Sequence, residues 1–78
     1  MQIVIENLPH DVSEEGIREA LKPFAPMARI TLIKEGNLPT AVINMDMTHA
    51  GAVGLAVRID GHLYNGQRLR AWVPRWQG

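Results

Sequence analysis

Seventy-eight residues allow one small domain and no second one, and a chain this short buries about 60% of its unfolded surface. The composition, 46% apolar and 21% charged with eight Lys and Arg against eight Asp and Glu, is ordinary for a soluble globular protein, and its neutrality counts mildly against strong nucleic-acid binding, which draws much of its affinity from phosphate contacts. The absence of cysteine excludes a disulfide framework, a thiolate metal site and a cysteine nucleophile. No apolar run approaches the ~18–20 residues of a membrane span, and the opening MQIVIENLP lacks the basic start and long apolar stretch of a signal peptide. A cytoplasmic protein is expected.

Residues 2–5 are rich in β-branched side chains and run into Asn7-Leu8-Pro9, which predicts a strand and a turn. Across residues 13–24, Ile17, Ala20, Leu21 and Phe24 recur at the spacing of one helix face. Ser13 is placed as the N-cap, with Glu14 and Glu15 in the first turn, where the helix dipole favours negative charge. Pro23 and Pro26 end this helix. Residues 29–34 and 40–45 alternate as strands and form a hairpin around the Glu35-Gly36-Asn37 turn, with Pro39 tolerated at the start of the second strand. Residues 49–59 predict a second helix, despite Gly51 and Gly54, and Asp60-Gly61 stops it. Asn65-Gly66 predicts a tight turn, and residues 67–73 a last strand that Pro74 ends.

The order is βαββαβ. It predicts an α+β, ferredoxin-like sandwich in which two helices cover one face of a four-stranded antiparallel sheet. Unrelated families share that fold. Metal carriers on it need a CxxC pair after the first strand, which this chain lacks, and small-molecule sensors usually carry a glycine-rich turn where Asn7-Leu8-Pro9-His10 stands. His10, His49 and His62 have no metal-ligand spacing, so no metal and no cofactor is expected. Glu14 and Glu15 diverge on a helix, and the first turn offers no glycine or arginine to cradle a phosphate, so the chain is not expected to be an enzyme.

The segment Ile3-Val4-Ile5-Glu6-Asn7-Leu8-Pro9 resembles the first sequence signature of RNA recognition motifs: apolar, aromatic, apolar, any residue, then Asn-Leu-Pro. Val12-Ser13-Glu14-Glu15 with Ile17, Arg18, Leu21 and Phe24 is similar to that family's first helix. The stretch from Ile59 to Leu69, including Asp60-Gly61 and Asn65-Gly66, is similar to its link between second helix and last strand. In order and at this spacing the pieces make a fairly specific signal, covering residues 2 to 74. The resemblance implies a domain over 1–74 with a short tail at 75–78, and a module that binds single-stranded RNA. With the initial Met1, it is also compatible with a small stand-alone protein, bacterial members included. The family's second signature belongs on the third strand, where Leu38-Pro39-Thr40-Ala41-Val42-Ile43-Asn44-Met45 stands. Ala41 and Ile43 fit it. Thr40 and Val42 occupy the places of outward aromatics, and Val4 replaces the first-strand aromatic.

In that family bases stack on aromatics of the open sheet face, each stack being worth about 1–3 kcal/mol. Without these platforms, binding through the face is either weak or carried by other groups. Strand alternation turns Val4, Ile33, Val42 and Trp72 outward as an apolar patch flanked by Arg29 and Arg70. The candidate site is Val4, Arg29, Thr40, Val42, Asn44, Arg70, Trp72, Arg75 and Trp76. Trp72 is either a stacking platform beside Arg29 and Arg70 or an anchor for a protein partner or a second copy, unless the tail with Trp76 folds back over the patch. Asn44 is a base contact or a solvated strand position. Asn7 is read as structural, its amide serving turn backbone groups.

Overall fold

The β-branched start of the chain forms β1 (Gln2–Glu6), and in the computed structural model, which describes residues 1–75, this strand lies inside the sheet with a neighbour on each side. It pairs antiparallel with β3 (Thr40–Asn44) and with β6 (Arg70–Trp72), while β2 (Arg29–Ile33) lies beyond β3, giving the order β2-β3-β1-β6. Helices α1 (Glu14–Leu21) and α2 (His49–Ile59) cover one face of this sheet. The expected ferredoxin-like sandwich is therefore the one observed. Its core joins Ile3, Ile5, Ile30, Ala41, Ile43 and Ala71 of the sheet to Ile17 and Leu21 of α1 and to Ala52, Leu55 and Ala56 of α2. Among the described residues no helix is long and apolar enough to cross a membrane.

Helix α1 begins as its sequence predicts. The Ser13 Oγ accepts the Gly16 N–H at 3.0 Å, and Glu14 and Glu15 occupy the first turn. Arg18 pairs with Glu14 at 2.9 Å and donates to the Ala28 carbonyl at 2.9 Å, tying the helix to the chain entering β2. The helix ends earlier than the expected residue 24. Pro23 has no N–H and its ring would crowd the carbonyl four residues back, so the last turn tightens, with the Lys22 N–H donating to Glu19. Phe24 thus lies past the helix end and is 48% exposed, though it still lines an apolar cleft with Ile17, Ala20 and Leu21, while Ala25 and Ala28 enter the core. The residue bounds of α2 match the expected ones, and Thr48 caps it by accepting the Gly51 N–H at 3.1 Å.

The predicted strand over residues 67–73 is broken. Its first part forms β5 (Gln67–Arg68), which pairs with β4 (Leu63–Tyr64) in a small hairpin of its own. The turn is Asn65-Gly66, with φ of 48° and 84°, the positive pair that a two-residue type I′ turn requires. Beyond it, the Leu69 N–H donates to His62 and the Leu69 carbonyl accepts from Gly61, both at 2.8 Å. The Arg68 guanidinium also donates to the Gly61 carbonyl, at 3.0 Å. Residues 67–69 are thereby engaged by the chain leaving α2, and β6, which pairs with β1, spans only Arg70–Trp72.

Edge strand β6 is short, and Asp60 braces it. The Asp60 Oδ1 accepts the Ala71 N–H at 3.0 Å, so the residue that ends α2 also satisfies a donor on a sheet edge, one of the ways edges are blunted.

Ile43 is fully buried in β3, so Ile43→Val should cost about 0.5–1.5 kcal/mol, lowering Tm by roughly 4–8 °C per kcal/mol in a domain of this size. Thr31→Ser, at an exposed position of β2, should stay within about 0.5 kcal/mol in the same thermal melt. Asp60→Ala leaves the Ala71 N–H without its partner and should cost about 1–3 kcal/mol. Amide exchange should then accelerate more at Ala71 than at Ile43, and equal acceleration at both would remove the bracing role.

Candidate functional site

The face of the sheet turned away from the helices carries the alternate residues of every strand. Strand register sets them in rows. Val42 is opposite both Thr31 and Val4, and Val4 is opposite Trp72, so one row crosses the whole sheet as Thr31, Val42, Val4 and Trp72. Val4 and Val42 are half-buried by their neighbours, whereas Trp72, on the edge strand, is 39% exposed. Next along the strands, Asn44 stands between Arg29 and Gln2. At the other end Ile33 is opposite Thr40, and Glu6 is opposite Arg70.

Most of the predicted site is thus brought onto one surface: Val4, Arg29, Thr40, Val42, Asn44, Arg70 and Trp72. The two arginines are not together. Arg70 lies two residues from Trp72 on the same strand, but Arg29 is on β2, the opposite edge. Three strand spacings, about 14 Å across the sheet, and a further two residues along the strands separate it from Trp72. The expectation that Trp72 stands beside both arginines holds for Arg70 alone. Arg75 is exposed just past β6. Trp76 lies outside the described residues.

Glu6 is absent from the predicted site although it shares this face. Alternation alone turns it outward, but its place opposite Arg70 depends on the pairing of β1 with the edge strand. Among the described residues the one ion pair is Arg18 with Glu14 on α1, so Glu6 and Arg70 face each other without being locked together. Asn7 takes the structural role expected of it. It adopts φ of 65°, a left-handed conformation that asparagine tolerates, and its amide reaches the Arg68 carbonyl at 3.5 Å. Arg68, tied to Gly61, is likewise part of the framework.

The helical side has a different character. Between α1 and α2 lies a cleft of about 240 Å³ whose lining, including Ile17, Leu21, Leu55 and Leu69, is almost wholly apolar. At its mouth the Arg58 guanidinium stands 5.5 Å from the centre of the Phe24 ring, a cation–π distance. Among the described residues no three His, Asp or Glu side chains are grouped as a metal site needs.

Known structures share this architecture. The C. elegans NONO-1 homodimer structure is 28% identical over 91% of this chain, with a TM-score of 0.75, and this chain spans 27% of that one, about a quarter of its length. The C-terminal RNA recognition motif of the U11/U12 65K protein is 20% identical, with a TM-score of 0.82 over 96% of this chain and 69% of that one. The Rna15 RRM with bound RNA (GU) is 13% identical, with a TM-score of 0.71 over 95% of this chain and 82% of that one. No curated protein matches the sequence. The sequence profile of the RNA recognition motif matches residues 3–70, and with the sheet order and the open face described above, the chain belongs to the RNA recognition motif family.

Proposed function

We propose that this chain binds single-stranded RNA across the open sheet face, with modest affinity and with Trp72 as its main stacking platform. One observation carries the proposal: in a chain of this family, the face turned away from the helices holds a continuous row of Val42, Val4 and Trp72 with cations at opposite corners. A base laid on the Trp72 indole gains stacking energy whatever its identity. Val4 and Val42 supply an apolar floor for its neighbour, and Thr40 and Asn44 offer polar groups from the central strand β3. Arg29 and Arg75 are placed to meet phosphates, and Arg70 meets the nucleotide on Trp72. Trp76, the remaining candidate from the sequence, lies outside the described residues. The Rna15 domain, of the same fold, is known with RNA bound, which supports RNA as the class of ligand.

Affinity is modest for two physical reasons. Valine and threonine stand where the family's aromatics would each add about 1–3 kcal/mol. The chain is also electrically neutral, so counterion release contributes little. A second reading, a protein partner or a second copy on this face, draws on its aliphatic half, where Ile33 is exposed and Val4 and Val42 lie side by side. Sedimentation separates the two: a monomer at high concentration that binds RNA favours the first.

Trp72→Ala should weaken RNA binding by about 1–3 kcal/mol, roughly five- to 150-fold, with the fold intact by amide NMR. Installing the missing platform should act in the opposite direction: Val4→Tyr is expected to tighten binding by about 1 kcal/mol or more, and a titration of both variants with a short RNA checks the pair. With three arginines in reach, the slope of log K against log salt should be no steeper than about −2, at about −0.7 per phosphate.

A further inference from the structure

We infer that Glu6, Arg70 and Trp72 form a guanine-reading subsite at the β1–β6 edge of the sheet, an inference that rests on the RNA-binding reading of this face. The three residues share the face away from the helices. Glu6 and Arg70 are directly opposite, which sets their Cβ atoms about 4.5–5.5 Å apart, and Trp72 lies next to Arg70 on the same side of β6. Neither charge is taken by an ion pair or hydrogen bond among the described residues.

The chemistry of the pair selects the base. An ionised carboxylate only accepts, and its two oxygens suit two parallel donors; a guanidinium only donates, and its fork suits two neighbouring acceptors. On the rim of guanine the order is the 2-amino group, N1–H, O6 and N7: two donors followed directly by two acceptors. A guanine stacked on the indole can therefore place its donor pair on Glu6 and its acceptor pair on Arg70, two groups that stand side by side as the rim requires. Arginine on O6 and N7 is the commonest specific contact to this base in duplex DNA. The other bases break the match. Adenine presents an acceptor at N1 where the carboxylate needs a donor. Uracil has one N–H between two carbonyls, and cytosine one amino group beside an acceptor.

The subsite also divides the labour of the three arginines. Arg70 reads a base edge, so it contributes to discrimination, while Arg29 and Arg75 contribute to the salt dependence. A simple structural cross-strand pair would give Glu6 and Arg70 no such selectivity.

The deciding experiment uses a set of pentanucleotides, UUNUU with G, A, C, U or inosine at the centre, titrated against the chain and followed at the Trp72 indole by NMR. The central G should bind roughly tenfold tighter than A, C or U, and inosine, which lacks the 2-amino group, should lose part of that advantage without any change to the protein. Glu6→Gln should reduce the preference severalfold, to the share that Arg70 carries, while the indole still shifts. Equal affinity for all five oligonucleotides, or a preference for G undiminished by both Glu6→Gln and inosine, overturns the subsite and leaves the RNA-binding face standing. Absence of any shift with all five overturns both.

Discussion

Everything on the open face depends on the register of β1. This strand is paired on both sides, with Val4 opposite Val42 in one direction and Trp72 in the other. Because side chains alternate, a slip of one residue would carry Val4 and Glu6 into the core and expel Ile3 and Ile5. Those two isoleucines are buried against both helices' residues, so the hydrophobic cost of the slip opposes it at every position of the strand. The same burial that holds the fold together thus aligns the row from Thr31 to Trp72.

That row explains how the chain differs from its family without leaving it. Family resemblance resides in the residues that build the frame: the Asn7-Leu8-Pro9 turn, the capped first helix and the Asn65-Gly66 hairpin. Leu8 and Pro9 are buried, and the Leu8 N–H donates to the Pro39 carbonyl at 3.2 Å. These are requirements of packing and turn geometry, not of ligand. The positions that depart, Val4, Thr40 and Val42, all point away from the core, where a change of side chain costs the fold little. A surface can therefore change from aromatic to aliphatic while the sandwich remains, which leaves Trp72 at the edge as the large aromatic of this face among the described residues.

Much of this was legible in the sequence because it is periodic. Alternation assigned each strand's outward residues correctly, and the bounds of α2 follow from its apolar spacing and the Asp60-Gly61 stop. Three features were not legible, each for a physical reason. Phe24 continues the helical spacing, and although Pro23 and Pro26 mark the helix end, spacing does not show that the helix already stops at Leu21. Leu69 sits within a good strand pattern, but its backbone groups go to Gly61 and His62, a local competition that side-chain alternation does not reveal. The juxtaposition of Glu6 with Arg70, and the separation of Arg29 from Trp72, arise from sheet order, which brings together segments far apart in the chain.

The break at Leu69 also sets the charge of the face. Arg68, Arg70 and Trp72 have the same parity, so a strand running unbroken from residue 67 would turn all three toward the open side. The β4–β5 hairpin instead engages Arg68, whose guanidinium is held by the Gly61 carbonyl, and only Arg70 and Trp72 remain on the sheet face beside Val4 and Glu6. With Arg29 at the far edge and Glu6 opposite Arg70, the face has little net charge. A surface of this kind attracts a polyanion weakly at a distance, because steering follows the summed field. On the proposed reading, discrimination comes from contact, through one indole, one carboxylate and one guanidinium that strand pairing sets side by side. The short, braced edge strand favours such contact. Asp60 fixes the backbone between Arg70 and Trp72 by the bond to Ala71, and the two side chains that flank the bond inherit its position.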